Sequence, residues 1–287
     1  MFWSYLIIQK MMLIFYVYSV FCGSIAVDAS KEAGVRFLSN SLHASSKIIN
    51  GVEAEKGEFP HQAALLYEGY HLCGASVIAQ DWAITAAHCV EGRSTELVAI
   101  VLNLHDYQNP GTLGVDYLWF YIDEIIIHED YNTGSGALPN DIALLRLTTN
   151  GYNISRNIIR LARGAYDYSN QICTISGWGT KVDGSAASKL KKTDVSVLSY
   201  GQCVYYWGDQ NVLSQHVCVK GYDTIEGSGS CTGDSGGPLV CGDDLVGVKS
   251  WVIYGCHQDG VVTHPSVYAR VSSFYNWVNA KCGNCAI

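Results

Sequence analysis

Ser235 lies in a glycine-rich segment, Gly-Asp-Ser-Gly-Gly-Pro-Leu at residues 233–239, whose residue types suit nucleophilic chemistry. Glycines on both sides of a serine permit a sharp turn without side chains, so a carbonyl group can approach the hydroxyl closely. The backbone N–H groups of Gly233 and Ser235 can point at an oxyanion that develops during the attack. Glycine–serine turns are common in loops, so the segment predicts a nucleophile only if the chain also supplies a base and an acid.

Two further segments supply those partners. His88 stands in Thr-Ala-Ala-His-Cys after an apolar run, and Asp141 stands at the head of another, in Asn-Asp-Ile-Ala-Leu-Leu-Arg-Leu. A serine hydroxyl is a weak nucleophile, and it needs an adjacent base that a third group holds in one tautomer. Histidine takes and returns protons near neutral pH, and a buried acid orients it. The alternative is a core histidine, a capping aspartate and a loop serine, because spacing along the chain alone does not bring the three together.

The elements that must position these residues are short strands. Apolar runs alternate with Gly, Asn and Asp along most of the chain, without helical periods between them, which predicts an all-β sandwich or barrel. A helix is predicted at residues 272–280, where Phe274, Trp277 and Val278 recur at helical spacing. The predicted strands are residues 61–67, 75–79, 97–104, 122–128, 171–176, 195–198, 239–241, 245–251 and 266–271.

Composition limits the function classes. The 287 residues suffice for one large domain or two smaller ones, and 48% apolar with 15% charged residues indicates a compact globular protein. The net charge of −8, without a basic cluster, gives no reason to expect nucleic acid or an acidic membrane surface as partner. The histidines show no metal-ligand spacing, so we expect neither a metal site nor another cofactor.

The N-terminus is typical of a secretory signal. Lys10 precedes the apolar run 11–22, and small residues at 24–26 suit signal peptidase, so we predict a signal peptide at 1–26 and a secreted, extracellular protein. The alternative is an uncleaved membrane anchor. Ten of the eleven cysteines follow residue 26, an even number that is typical of disulfides in an exported chain.

The three motifs together resemble those of the chymotrypsin/trypsin family of secreted serine proteases, and the resemblance runs from Ile48 to the C-terminal helix. It implies two packed antiparallel β-barrels, at roughly 48–165 and 166–271, within a protease domain of 48–287. It also implies an endopeptidase that works through an acyl-enzyme, with Ser235 as nucleophile, His88 as general base and acid, and Asp141 as its orienting acid. The Gly233 and Ser235 amides would form the oxyanion hole. The alternative from another class is a catalytically inactive, protease-like binding protein.

The same resemblance gives a role to Lys47-Ile48-Ile49-Asn50-Gly51. Cleavage after Lys47 by a trypsin-like protease would remove an activation propeptide at 27–47 and free the Ile48 amine. That amine would pair with the buried carboxylate of Asp234, because a buried carboxylate without a cation is costly. The chain is therefore predicted to be a zymogen.

Cysteine pairing also follows from the resemblance. The family pattern implies four disulfides: Cys73–Cys89, Cys173–Cys241, Cys203–Cys218 and Cys231–Cys256. Cys282 and Cys285 have no counterpart in that pattern, and in an exported chain we expect a local bridge between them rather than a redox or metal motif. Pairing with another molecule is the alternative.

In this family a specificity pocket receives the side chain before the scissile bond, and we predict that it consists of Gly229, Ser250, Trp251, Val252 and Ser266. Trypsin-like members carry aspartate where Gly229 stands, so cleavage after Lys or Arg is disfavoured. Val252 and Ser266 replace glycines of the walls, which favours an elastase-like preference for small aliphatic residues. A chymotrypsin-like or broad collagenolytic specificity is the alternative, and Glu226 or Asp259 could restore some basic preference.

The remaining expectations concern partners and modification. The predicted partners are protein or peptide substrates, the activating protease and protein inhibitors, and the protein is expected to be a monomer. Asn153-Ile154-Ser155 is the one N-glycosylation sequon, so Asn153 is a candidate glycosylation site.

Overall fold

The structure is a computed structural model that describes residues 36–37, 51–107, 117–179, 188–222, 229–230, 233–253 and 263–285. The chain divides into two units, Met1–Gly34 and Val35–Ile287, and every described residue belongs to the second. Several residues of the predictions above lie outside the described residues: the signal, Lys47, Ile48, Glu226, Cys231, Cys256 and Asp259.

Six antiparallel strands form a closed barrel in the first half of the chain. Two short strands come first, β1 (Arg36–Phe37) and β2 (Val52–Glu53). The barrel strands are β3 (Gln62–Tyr67), β4 (Tyr70–Ala79), β5 (Trp82–Thr85), β6 (Val98–Leu102), β7 (Leu118–Ile127) and β8 (Ala143–Leu147). They follow the order β4-β3-β6-β7-β8-β5, and pairing of β4 with β5 closes the barrel. Its core consists of aliphatic side chains such as Leu65, Ile84 and Ile100, each without exposed surface.

A second antiparallel barrel follows. After the short strand β9 (Arg160–Leu161), its strands are β10 (Ile172–Gly177), β11 (Lys191–Val197), β12 (His216–Gly221), β13 (Pro238–Cys241), β14 (Asp244–Trp251) and β15 (Ser266–Arg270). The order is β10-β13-β14-β15-β12-β11, and β10 pairs with β11 to close it. The short strands extend these sheets: β1 runs parallel to β4, β2 lies beside β11, and β9 runs parallel to β14.

Two α-helices are described, α1 (Tyr200–Trp207) and α2 (Val271–Cys282). Helix α2 buries Val271, Phe274 and Val278 among the core residues, and it contains the predicted helix at 272–280. Helix α1 was not predicted, although Ser199 and Gln202 form a capping box at its N-terminus, which is a recognisable start signal. Among the described residues, no helix combines the length and apolar character needed to cross a membrane.

The predicted fold class is confirmed: two antiparallel barrels of the chymotrypsin type precede a short C-terminal helix. The clearest difference is β4, which begins at Tyr70 rather than at Ala75. Glu68 and Gly69 both have positive φ, 52° and 79°, as in the two-residue turns that join tightly paired strands. This turn lets β4 pair with β3 from its first residue.

Candidate active site

Pairing of β5 with β8 places His88 near Asp141. The two strands run antiparallel with Thr85 opposite Ala143, so the residues after β5 and those before β8 share one end of the barrel. His88 follows Thr85 by three residues, in a short 3₁₀ turn (Ala87–Cys89), and Asp141 precedes Ala143 by two. Two motifs 53 residues apart in the chain therefore meet in space.

The Asp141 carboxylate orients the His88 ring. Its Oδ2 lies 2.7 Å from His88 Nδ1, and its Oδ1 accepts the His88 backbone N–H at 2.9 Å. Because an ionised carboxylate only accepts hydrogen bonds, Nδ1 carries the proton of the neutral imidazole, which leaves Nε2 as the basic nitrogen. The His88 side chain is 27% exposed, whereas that of Asp141 is 1% exposed, so the base is accessible and the orienting acid is not.

A third donor reaches the same carboxylate. Ser250 Oγ donates to Asp141 Oδ2 at 2.5 Å. Burial alone would raise the pKa of Asp141, but the hydrogen bond and charge of His88, together with the Ser250 hydroxyl, lower this pKa below its ordinary value. The carboxylate therefore stays ionised at neutral pH and can stabilise a protonated His88.

The loop that carries Ser235 is hydrogen-bonded to both barrels. Gly74 of β4 donates its N–H to the Ser235 carbonyl at 2.7 Å, and the Gly236 N–H donates to the Lys249 carbonyl at 2.8 Å. Gly236 has a φ of 74°, and a Cβ there would lie 2.2 Å from Thr85 Oγ1. Only glycine permits this approach, which brings the Ser235 loop against the end of β5 that leads to His88.

Among the described residues, no hydrogen bond joins the Ser235 hydroxyl to His88. His88 Nε2 lies 3.7 Å from Cys89 Sγ. Catalytic hydrogen bonds often form or tighten only when substrate binds, so the lack of this bond does not exclude Ser235 as nucleophile and His88 as its base. Cys73, His88 and Cys89 have donor atoms close enough to hold a metal ion, but both sulfurs belong to one disulfide. Since a metal needs the thiolate form of cysteine, this cluster does not suit one.

Asp234, which precedes the serine, is buried and 3% exposed. Its Oδ1 accepts the Gly179 N–H at 2.9 Å. A Cβ on Gly179 would lie between 2.6 and 2.7 Å from three atoms of this carboxyl group, so the glycine makes room for the carboxylate. The Ile48 amine, its predicted partner, lies outside the described residues.

Disulfides join four of the five predicted cysteine pairs: Cys73–Cys89, Cys173–Cys241, Cys203–Cys218 and Cys282–Cys285. The first links β4 to the turn of His88, and the last closes the end of α2. The fifth pair, Cys231–Cys256, lies outside the described residues.

Comparison with known proteins agrees with this architecture. The family described as Trypsin matches residues 48–278. The chain belongs to the trypsin family. Fibrinolytic enzyme, isozyme C, from Lumbricus rubellus is 35% identical over 245 residues, which cover 80% of this chain and 98% of that protein. Chymotrypsin-like elastase family member 1 from Felis catus is 37% identical over 252 residues, or 82% of this chain and 89% of the relative.

A solved structure of a serine protease has the same fold. Neuropsin, a serine protease expressed in the limbic system of mouse brain, superposes with a TM-score of 0.69 at 27% identity, covering 81% of this chain and 99% of that one. Trypsin-family proteins are serine proteases, so this chain is a hydrolase of the serine endopeptidase class, and its substrates are proteins or peptides.

The described residues of the predicted specificity pocket come together around β14 and β15. Gly229 is buried, Ser230 beside it donates from its hydroxyl to Ser266 Oγ at 2.9 Å, and Ser266 has no exposed surface. Trp251 packs edge-on against Trp207 with ring centroids 4.7 Å apart, and Val252 is half-buried.

Two features of this trypsin-family site were missed from the sequence. Ser250 was expected to line the pocket, but its hydroxyl is a donor to Asp141. Lys249, the preceding residue, was not considered because it lies in an otherwise apolar strand, and it is only 2% exposed. The one available signal is a charged residue within an otherwise apolar run, and this signal alone does not show that the residue is buried.

Proposed function

We propose that this trypsin-family member is an active serine endopeptidase in which Ser235, His88 and Asp141 act as the catalytic triad. Ser235 Oγ attacks the carbonyl carbon of the scissile bond while its proton passes to His88 Nε2. The Gly233 and Ser235 amides donate to the resulting oxyanion. The tetrahedral intermediate then collapses as His88 returns the proton to the leaving amine, which leaves an ester on Ser235.

Hydrolysis of that ester repeats the sequence with water. His88 takes a proton from the water, the hydroxide adds to the ester carbonyl, and the proton returns to Ser235 Oγ as the acid product leaves. Asp141 remains ionised throughout and stabilises the imidazolium that forms twice in each cycle. The reaction consumes one water and needs no cofactor.

The observation that carries this proposal is the buried Asp141 carboxylate, which accepts two hydrogen bonds from His88 and one from Ser250. A structural aspartate would not require the histidine side chain beside it to remain accessible. Labelling with a sulfonyl fluoride probe tests the proposal, because the reaction requires an activated serine. We expect a single label on Ser235 that is lost in Ser235→Ala and His88→Ala. A folded wild-type protein that takes up no label after activation would support the inactive binding protein instead.

We further propose that the chain is made as a zymogen. The supporting observation is the burial of Asp234, whose carboxylate adjoins the proposed oxyanion hole. Cleavage after Lys47 supplies the Ile48 ammonium to this carboxylate and orders the Gly233 amide. Lys47→Gln should keep activity near background after treatment with trypsin, whereas the same change at exposed Lys56 should not. Full activity of uncleavable Lys47→Gln would contradict this mechanism.

The pocket residues support a preference for short side chains before the scissile bond. Gly229 supplies no carboxylate for a substrate lysine or arginine, and Val252 and Ser266 add side chains at the walls. We therefore propose an elastase-like preference for small aliphatic residues. A chymotrypsin-like or collagenolytic preference is the alternative. The name of the Felis catus relative, an elastase family member, favours the elastase-like preference. Peptides that vary only at this position distinguish them, and dominant cleavage after arginine would contradict both.

Secretion and glycosylation complete the proposal. The disulfides and the predicted signal at 1–26 support an extracellular protein. Asn153 is exposed, as an acceptor for N-linked sugar must be. Sequencing of the mature N-terminus and a mobility shift with glycosidase test these two points separately.

A further inference from the structure

Lys249 is a buried basic residue directly beside the predicted specificity pocket. It precedes Ser250 in β14, is 2% exposed and ranks among the largest fully buried side chains of the described residues. Lysine is almost never buried unless its ammonium is paired, because removing the charge from water is costly. A buried lysine ammonium therefore needs a hydrogen-bond acceptor or an anion, supplied either by the protein or by a bound ligand.

Within the described part of the chain, no hydrogen bond or ion pair reaches the Lys249 ammonium. Its Nζ lies 5.7 Å from the centre of the Tyr268 ring, and Tyr268 is its neighbour across the strand pair. Among the described residues, the carboxylates of Asp234 and Asp141 act on its charge. Burial lowers the pKa of Lys249 to about 7, and the two carboxylates act in the opposite direction without offsetting it. Burial also raises the pKa of Tyr268, so that phenol stays neutral and provides no anion.

Tyr268, the neighbour of Lys249, connects it with residues of the predicted specificity pocket. Tyr268 follows Ser266 by two residues in β15, and the Ser230 hydroxyl acts on its phenol, opposing the rise in pKa that burial causes. Ser230 in turn donates to Ser266 at 2.9 Å. Two serine hydroxyls, one phenol and an ammonium thus form a buried polar cluster between Gly229 and β14. The serine hydroxyls and the phenol are uncharged, so they do not pair with an ammonium. Lys249 is therefore the group that can bring a positive charge to this cluster.

We propose that Lys249 is a specificity-determining residue that receives the carboxylate of an aspartate or glutamate before the scissile bond. This inference rests on the proposed endopeptidase activity; it keeps the short side chain that the pocket walls favour and replaces the aliphatic group by a carboxylate. A substrate carboxylate supplies the direct ion-pair partner that no described residue provides, and a charge pair in a water-poor pocket interacts strongly. The narrowed walls at Val252 and Ser266 still apply, and aspartate is about as short as the small aliphatic residues they admit. The preference for small aliphatic residues was derived from Gly229, Val252 and Ser266 alone, and it did not take the charge of Lys249 into account.

Matched peptides test the proposal on the activated wild-type enzyme. Peptides that differ only in aspartate versus asparagine, or glutamate versus glutamine, before the scissile bond keep size constant and change charge. We expect kcat/KM to be at least about tenfold higher for the acid of one or both pairs, as for a site that rejects a substrate lacking its polar partner. Equal or faster cleavage of both amides would overturn the proposal, while Ser235 labelling and cleavage after alanine would leave the proposed function intact. Failure of labelling together with failure to cleave every peptide would overturn both.

A variant assigns the effect to this lysine. Lys249→Met keeps the length of the side chain and removes the charge, so the acid-to-amide ratio of kcat/KM should fall to near one. Lys56→Met, at an exposed position, is the matched control and should leave the ratio unchanged. A ratio that survives in folded Lys249→Met would overturn the assignment. If that variant does not fold, the wild-type comparison of acid and amide still decides the proposal.

Discussion

Replacing Ser250 by alanine tests how the buried carboxylate of the proposed triad is held. Ser250 Oγ donates to Asp141 Oδ2 at 2.5 Å, and Asp141 is 1% exposed, so water has little access to replace the lost donor. A hydrogen bond to a charged group contributes about 1.5–3 kcal/mol. If all of this is lost in the transition state, the rate falls roughly 10- to 150-fold. Because both donors from His88 remain, we expect the lower part of that range for kcat.

The assay separates catalysis from folding and substrate binding. We would measure kcat and KM on one peptide substrate, the rate of Ser235 labelling, and the melting temperature. Ser76→Ala is the matched control, because Ser76 is also buried and its hydroxyl has no hydrogen-bond partner among the residues that the structure describes. Wild-type kcat, within about twofold, in a folded Ser250→Ala enzyme would refute the reasoning.

Ser250→Ala should also change how the free energy of unfolding depends on pH in acid. The pKa of Asp141 is lower in the folded protein than its ordinary value. The group therefore contributes stability that is present above the unfolded pKa and is lost as the pH falls through the folded pKa. Loss of the Ser250 donor raises the folded pKa towards the unfolded one, so the acid-induced loss of stability should be smaller in the variant and complete at a higher pH. Urea unfolding between pH 2 and pH 6 measures this change.

Three further substitutions have expected outcomes. Gly179→Ala should abolish most activity, because its Cβ would clash with the Asp234 carboxylate, whereas Gly201→Ala, where nothing lies within 4 Å, should not. Cys282→Ser should cost only about 2 kcal/mol of unfolding free energy, since the closed loop is short. Lys249→Met should raise stability by about 3–5 kcal/mol at pH 6, because burial lowers the lysine pKa from 10.5 to about 7. The wild-type protein should gain stability as the pH rises between those values, and the variant should lack this gain in pH-dependent unfolding.

Much of the fold could be predicted because its signals are local. Short apolar runs between turn residues identified most strands, and helical spacing of Phe274 and Val278 identified α2. The start of β4 at Tyr70 was missed because its first residues include His71 and Gly74, which are not typical of a strand. The pairing that fixes them comes from the Glu68–Gly69 turn. Helix α1 was missed because its sequence, Tyr-Gly-Gln-Cys-Val-Tyr-Tyr-Trp, is rich in residues that favour strands.

The site was less predictable where it depends on which face of a strand is covered. Alternation along β14 predicts that valines face the core and Lys249 faces solvent. In the structure both faces of this strand are buried, because one faces the barrel interior and the other is covered by neighbouring elements. Neither the burial of Lys249 nor the bond from Ser250 to Asp141 can be read from one strand alone. The burial of Lys249 depends on neighbouring strands such as β15, and the Ser250–Asp141 bond joins residues 109 positions apart in the chain.

Charge balance connects the proposals about activation and specificity. Asp141, Asp234 and Lys249 are each at most 3% exposed, and a buried charge persists only where other groups compensate it. Hydrogen bonds from His88 and Ser250 compensate Asp141, and the Gly179 amide with the proposed Ile48 ammonium compensates Asp234. That assignment leaves the Lys249 ammonium as the one charge of the three whose compensation would come from the substrate. A carboxylate in the specificity pocket would balance it, whereas an aliphatic side chain would leave it unpaired, so the buried charges favour an acidic substrate residue over an apolar one of equal size.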